Sequence, residues 1–339
     1  MGKIRNLFRR IGSGSFKRMF HCIDLVHKET GKNKLLIFID MCICILFYNV
    51  GYLDYHIFGF GQRNKQERKT YLTYNHNTAL FKMVDDPEVS YLLKDKLAFN
   101  NKYKKYIGRD FFDPSVSSLI EFKEFLKNKQ KLFIKPATSF GGLGEYKAIT
   151  VDENTDVEAL YNHLKQNKVF VEDLIVQHPK MSTLSSKSIN TVRIVTLVVD
   201  NKAHFMYSIL RMGIGDMSVD NSSSGGINTC LDENGRIIKA CFSDKTGLYY
   251  TNHPTSGMYL VGFEVPMYKE VIDLCLKAAE EEPRLGYVGW DVAITPDGPI
   301  IVEANDLPGY DMPQNHGTSN KTVGMLPDFE RVLGRKIKV

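Results

Sequence analysis

Apolar positions recur at helical spacing from the start of the chain. Ile4, Leu7, Phe8 and Ile11 share one face while Arg5, Arg9 and Arg10 fall on others, the pattern of an amphipathic basic helix. Gly12-Ser13-Gly14-Ser15 should end it, and Phe16, Met19, Phe20 and Ile23 open a second stripe. Polar residues then thin out from Leu35 to Phe60. The longest charge-free run there, residues 41–53, has 13 residues, well short of the roughly 20 needed to span a bilayer. The stretch is expected to form a buried helix.

From Asp86 the pattern changes. Helices are expected at 87–106 and 116–129, with Asp113-Pro114-Ser115 as a cap between them. Short apolar strands follow at 131–136, 146–151, 169–176, 191–199, 204–211, 288–294 and 300–305, separated by Gly and Asn turns and interrupted by helices at 156–166 and 268–281. This order predicts an α+β fold of two mostly antiparallel, sheet-containing halves rather than βαβ alternation. No internal repeat is visible. The expected division is a basic segment 1–34, a helical and aromatic region 35–85, and a main domain 86–339 split at about residue 186.

A chain of 339 residues with 43% apolar and 11% aromatic residues can bury a large core, which excludes a disordered protein. The net charge of +5 is modest, and residues 1–34 hold nine Lys and Arg against Asp24 and Glu29, so the remainder is slightly acidic. No nucleic-acid partner is implied. The basic start suits an anionic membrane surface or a helix packed on its own core equally well. Six cysteines without a CxxC pair read as reduced thiols of a cytoplasmic protein, and the basic start lacks the apolar core and small-residue site of a signal peptide.

The strongest chemical signal is the stretch from Val288 to Asn305, two strands around Pro296-Asp297-Gly298. Centring the hairpin on Asp297 sets Ile294 against Ile300, Val292 against Val302 and Trp290 against Ala304 as one apolar side. The other side places Asp291 opposite Glu303, with Asn305 two positions along. Opposed residues have Cβ atoms about 4.5–5.5 Å apart, so the two carboxylates need a positive charge between them. Mg, or Mn in its place, could supply it, with a nucleotide phosphate completing the oxygen shell; a solvated hairpin face is the other reading.

A second signal runs from Lys131 to Gly144. A strand ends in Lys135 and enters a loop with Thr138, Ser139, Gly141 and Gly142, whose backbone N–H groups and hydroxyls can approach phosphate. It matches neither GxxxxGK[ST] nor GxGxxG. Further on, an apolar strand ends in Glu172-Asp173-Leu174-Ile175-Val176-Gln177, groups able to line an adenine pocket or simply to leave the core as an edge strand. Arg193 opens one strand, Arg211 closes another, and Asn221 sits in a polar loop with Ser224-Gly225-Gly226. Arginines at strand ends can hold a carboxylate or a developing acyl phosphate, or serve as surface salt-bridge partners. No Ser/His/Asp or Cys/His arrangement stands out.

Taken together, Lys96, Lys135, the Gly loop, Glu172 and the Asp291/Glu303/Asn305 spacing resemble the ATP-grasp superfamily. Val176-Gln-His-Pro179, Ile189-Asn-Thr-Val-Arg193, Asn221 and Glu303-Ala-Asn-Asp-Leu-Pro-Gly309 are similar to its sugar-transfer-associated family. The resemblance implies ATP clamped between two α+β subdomains, lid 131–185 and metal and acceptor part 186–339. It puts Lys96 and Lys135 on phosphates, residues 172–175 at adenine, Asp291, Glu303 and Asn305 on Mg, and Arg193 and Arg211 near the transferred phosphate or the acceptor carboxylate. Gln177 stands close to where the family's ribose-binding acid would be. An ADP-forming carboxylate–amine ligase acting on a hexuronate of a surface or capsular polysaccharide is expected. It would be cytoplasmic, with a peripheral contact at the inner membrane face as a further expectation. A sugar kinase and a non-catalytic nucleotide-binding scaffold are the competing readings.

Overall fold

The apolar strands zip into two antiparallel sheets. The computed structural model describes residues 16–138, 146–215 and 225–339. Strands β1 (Phe111–Phe112), β2 (Lys131–Pro136), β3 (Lys147–Thr150) and β4 (Val169–Asp173) form a four-stranded sheet in the order β1-β4-β2-β3. Strands β5 (Thr191–Val199), β6 (Lys202–Met212), β7 (Ile227–Cys230), β8 (Cys241–Ser243), β9 (Leu248–Tyr250), β10 (Tyr287–Thr295) and β11 (Gly298–Asn305) form a seven-stranded one in the order β11-β10-β5-β6-β7-β8-β9. The α+β class is as expected. Between β5 and β6, Asp200 and Asn201 both take positive φ (51° and 60°), the twist that a two-residue hairpin turn needs and that these two residue types tolerate.

Helix Tyr268–Glu280 covers one face of the large sheet, packing Val271, Cys275 and Ala278 with Val192, Ile194 and Trp290. On the other face, helices Tyr74–Val84 and Leu326–Leu333 bring Leu80 and Phe329 against Val195, Leu197 and Tyr287. Cover on both sides explains why β10 is buried continuously from Tyr287 to Ile294 instead of alternating. The Trp290 indole N–H donates to Thr196 Oγ1 at 2.9 Å, satisfying its one polar atom. The small sheet is backed by helices Leu119–Phe125 and Val157–Gln166 through Phe122, Leu164, Ile134 and Val171.

Several expectations need correction. Residues 35–60 are not one buried helix. Helix Lys34–Tyr48 stops at Asn49, in the left-handed region, and a second helix, Tyr52–Ile57, restarts three residues later. Only Ile37, Met41 and Cys44 of the first are buried, while Leu35, Leu36, Ile39, Ile43 and Phe47 are exposed. Hydropathy alone does not say which side of an apolar helix finds a partner. Here one side packs with helix Phe16–Thr30 and with Tyr55, Phe58 and Phe60, and Asp40 anchors it through Arg68 (2.6 and 2.8 Å) and the Tyr55 hydroxyl (2.7 Å). No helix of the described residues is long and apolar enough to cross a membrane. The helix expected at 3–11 lies outside the described residues.

The helix expected at 87–106 is broken as well. Asp95 accepts hydrogen bonds from the Leu97 and Ala98 N–H groups and so caps a new helix, Lys96–Lys102, after a 3₁₀ turn at Ser90–Leu93. That puts Lys96 on the first turn. The short strands β1, β7, β8 and β9 were not foreseen, because runs of two to four residues carry almost no periodicity.

Candidate active site

A cavity of about 940 Å³ is lined by residues of both sheets. Lys135, the last but one residue of β2, meets Glu172 of β4 there at 2.8 Å. Burial pushes the Lys135 ammonium down to about 8, and the charge of Glu172 only partly restores it. Burial also opposes the Glu172 charge, but Arg109 and Lys135 outweigh it and hold the carboxyl below its ordinary range. Arg109 Nε (3.0 Å) and Asn100 Nδ2 (3.5 Å) approach the same Oε2 that Lys135 does. The Glu172 side chain, expected to read an adenine edge, is thus the centre of a buried ion cluster.

Arg109 escaped the sequence reading because it has no motif around it. Gly108 places it: φ is +57°, and a Cβ there would come within 2.4 Å of Ile300 Cγ2, so only glycine lets this turn lie against β11. Arg109 then donates to the carbonyls of Ile107 (3.0 Å), Ile301 (2.7 Å) and Val302 (2.9 Å). The last two carbonyls flank an irregularity. Asp291 faces Glu303 and Trp290 faces Ala304, as expected, but the hairpin turn is tighter, with Thr295 paired to Gly298. A β-bulge leaves Val302 unpaired and restores the register at the site, while Val292 faces Ile301 and Ile294 faces Pro299 instead of the expected partners.

Asp291 is 2% exposed. Arg193, opposite it on β5, takes both its oxygens at 2.7 Å, Arg211 reaches Oδ2 at 2.8 Å, and Asn305 Nδ2 lies 3.2 Å from Oδ2. Burial works against this carboxylate, but the two guanidiniums hold its pKa at about 2. The charge expected from a divalent cation is therefore supplied to Asp291 by arginines on neighbouring strands. Glu303 differs: burial and then the Asp291 charge raise its pKa, and no donor among the described residues hydrogen-bonds to it. A half-buried carboxylate lining a cavity without a donor, beside an amide whose nitrogen turns toward Asp291, fits a cation. Glu303 Oε and Asn305 Oδ1 are the atoms that could hold Mg, whereas Asp291 could do so only by sharing its oxygens with the arginines.

Lys96 lines the same cavity, its ammonium 5.8 Å from the centre of the Tyr146 ring, and its N–H is bonded to the Ala137 carbonyl at 2.9 Å. Asp173 and Ile175 also line it, although the Asp173 carboxylate is taken up by Lys129 at 2.8 Å. Gln177 does not present a free amide. Its oxygen accepts from the Asn190 N–H (2.6 Å) and its nitrogen donates to the Ser185 carbonyl (3.1 Å), pinning the loop that leads into β5. Thr138 is exposed and bridged to Asp95, outside the cavity lining. Ser139, Gly141, Gly142 and Asn221 lie outside the described residues.

No curated protein matches the chain. Among solved structures, it is similar to an ATP-grasp ligase, PsnB, complexed with a minimal precursor (14% identity, 67% of this chain and 57% of that one, TM-score 0.39). It is also similar to the D-alanine–D-alanine ligase of Bacillus anthracis (13%, 65% and 59%, TM-score 0.36) and to the D-cycloserine synthetase DcsG (11%, 74% and 73%, TM-score 0.43). The chain spans less than two thirds of the length of the first two. A model of the sugar-transfer associated ATP-grasp family matches residues 67–323. That match takes in most of the chain and every candidate site residue from Lys96 to Asn305, and the chain belongs to the sugar-transfer associated ATP-grasp family.

Proposed function

We propose that the protein is an ATP- and Mg-dependent ligase that activates a carboxylate and joins it to an amine, releasing ADP and phosphate. The observation that carries this reading is the meeting, in one cavity, of Lys96, Lys135, Arg193 and Arg211 with Glu303 and Asn305. Hydroxide is a poor leaving group, so a carboxylate reacts with an amine only once it is made a mixed anhydride with phosphate. Bound Mg would neutralise charge on the phosphates while that anhydride forms. Lys135 is the residue for the phosphates: the cavity wall keeps it dry, and an incoming anion strengthens its hold on the proton. Arg193 and Arg211 stand where they can turn from Asp291 to a developing oxyanion, since both already orient bidentate or charged groups on that side of the sheet.

The family description supports a sugar-linked acceptor, and a hexuronate carboxyl of a surface or capsular polysaccharide joined to an amino acid or small amine is the substrate pair of this reading. Residues 131–185 would act as the closing lid over residues 186–339. The reading also includes a cytoplasmic protein held peripherally at the inner membrane face. Leu35, Ile39, Ile43 and Phe47 recur every four residues as an exposed stripe beside exposed Phe16 and Phe20, next to the cationic first 34 residues. Leu35→Glu combined with Phe47→Glu should release the protein from sedimenting anionic vesicles; unchanged sedimentation would remove the membrane contact.

The test of the chemistry is ADP release with ATP and Mg across uronic acids and uronosyl glycosides, with and without mixed amino acids. Release that needs both partners, yields the condensation product and falls about 10²–10³-fold in Glu303→Gln is the expected result. A product heavier by one phosphoryl group, formed without any amine, would replace the ligase by a kinase.

A further inference from the structure

Glu29, His56 and His316 converge far apart in sequence, and each offers one ligand atom within 4.8 Å of the others. Glu29 lies in the last turn of helix Phe16–Thr30, His56 lies on helix Tyr52–Ile57, and His316 follows the turn at Met312–Gln314. His56 Nδ1 and His316 Nε2 each lie 3.7 Å from the same oxygen, Glu29 Oε2. Both nitrogens are buried and make no hydrogen bond, and His56 as a whole has no exposed surface.

The other nitrogen of His56 decides what faces Glu29. Nε2 lies 3.3 Å from the Gly247 carbonyl oxygen. A carbonyl can only accept, so Nε2 carries the proton and Nδ1 of the neutral ring presents a lone pair. That lone pair is aimed at a carboxylate oxygen, which is also an acceptor, and a second imidazole nitrogen arrives at the same oxygen. Acceptors gathered in this way need a proton or a cation between them, and three ligand atoms converging on one point can hold a metal cation. His316 is held there on purpose of shape: its N–H bonds to the Ile57 carbonyl at 2.9 Å, and a Cβ on Gly59 (φ +65°) would come within 2.9 Å of its ring.

The geometry points to a divalent transition-metal site, with zinc as the best match, formed by His56 Nδ1, His316 Nε2 and a Glu29 oxygen. Two imidazoles and one carboxylate are a donor set for zinc, whose bonds of about 2.0–2.2 Å place neighbouring donors a little over 3 Å apart. The separations of 3.7 Å close to that value by a small inward movement of Glu29. The Gly247 carbonyl orients His56 from behind, the arrangement by which second partners fix a ligand's tautomer. The fourth position is left for water, reached past the Glu29 side chain, which is 28% exposed. In the fold the ion would staple two N-terminal helices to the segment after Met312.

The test uses untagged full-length protein. Purified protein should hold about one zinc per chain through gel filtration, and cobalt(II) in its place should show the visible bands of low-coordinate, histidine-ligated cobalt. Glu29→Gln and His316→Gln should each weaken zinc about tenfold or more while far-UV circular dichroism stays unchanged, and Glu303→Gln should leave the zinc content as it is. Folded wild-type protein that binds no more zinc than the Glu29→Gln, His316→Gln double variant, and gives no cobalt bands, overturns the site. The cobalt spectrum needs no variant, so a misfolded substitution does not shelter the proposal.

Discussion

Asp291→Asn should lower the free energy of unfolding by about 3–5 kcal/mol, whereas Glu303→Gln, one strand away, should leave the metal-free protein as stable as the wild type or more so. The two carboxylates face each other but stand in different fields. Asp291 neutralises Arg193 and Arg211, both largely buried, at 2.7–2.8 Å; without it two guanidiniums remain in a dry site. Among the described residues Glu303 has no such partner, and burial and Asp291 already disfavour its charge. The pH dependence follows. A carboxyl whose folded pKa is raised contributes stability that is present below its ordinary value near 4.5 and lost as pH rises through the folded value. The advantage of Glu303→Gln over the wild type should therefore grow from acid toward neutral pH. Asp291 has the opposite sign, and its contribution disappears only as pH falls through about 2. Urea unfolding followed by the single tryptophan, Trp290, which adjoins Asp291, reads both variants. Equal losses for the two would refute the assignment of the arginines to Asp291. ATP turnover should fall in both, so it is the difference in stability that separates the group that holds the site together from the group the site holds for a ligand.

Arg109→Ala should cost about 3–5 kcal/mol, and Arg109→Lys should recover only a minor part of it. One guanidinium here pairs with Glu172 of the small sheet and donates to two carbonyls around the β11 bulge of the large one. Lysine restores the charge opposite Glu172, but a single ammonium cannot fork across the Ile301 and Val302 oxygens. The loss should appear as a lower thermal midpoint and as faster proteolytic cleavage within residues 111–173, the part that Arg109 ties down. A lysine variant indistinguishable from the wild type in both measurements would mean that charge alone joins the sheets.

The Asp291–Glu303 pairing could be read from the chain because strand alternation constrains it strongly. Yet it came out by compensation, a tighter turn cancelled by a bulge at Val302, which no local pattern announces. The gathering of Lys96, Lys135, Arg193 and Arg211 was legible from residue types at strand ends and from the family resemblance. What Glu172 and Gln177 do was not, since both are polar groups whose partners, Arg109 and Asn190, are set by tertiary folding. The same holds for Glu29, His56 and His316: single residues on separate elements carry no spacing signal. The exposed side of helix Lys34–Tyr48 was misjudged because its apolar residues surround the helix, leaving no polar face to mark the outside.

The N-terminal helices rest on parts of the chain made much later. Arg18 and His21 bond to carbonyls of residues 244 and 246, more than 220 positions away, and Phe242 lies in the same core cluster as Met19 and Ile23. At about 5–20 residues per second, a ribosome needs roughly 11 to 45 seconds to deliver those partners. Through that interval these helices can pack on one another and on Tyr55, Phe58 and Phe60, but the side that meets Phe242 and the 244–246 turn stays open, which makes it the natural place for a chaperone to meet the nascent protein.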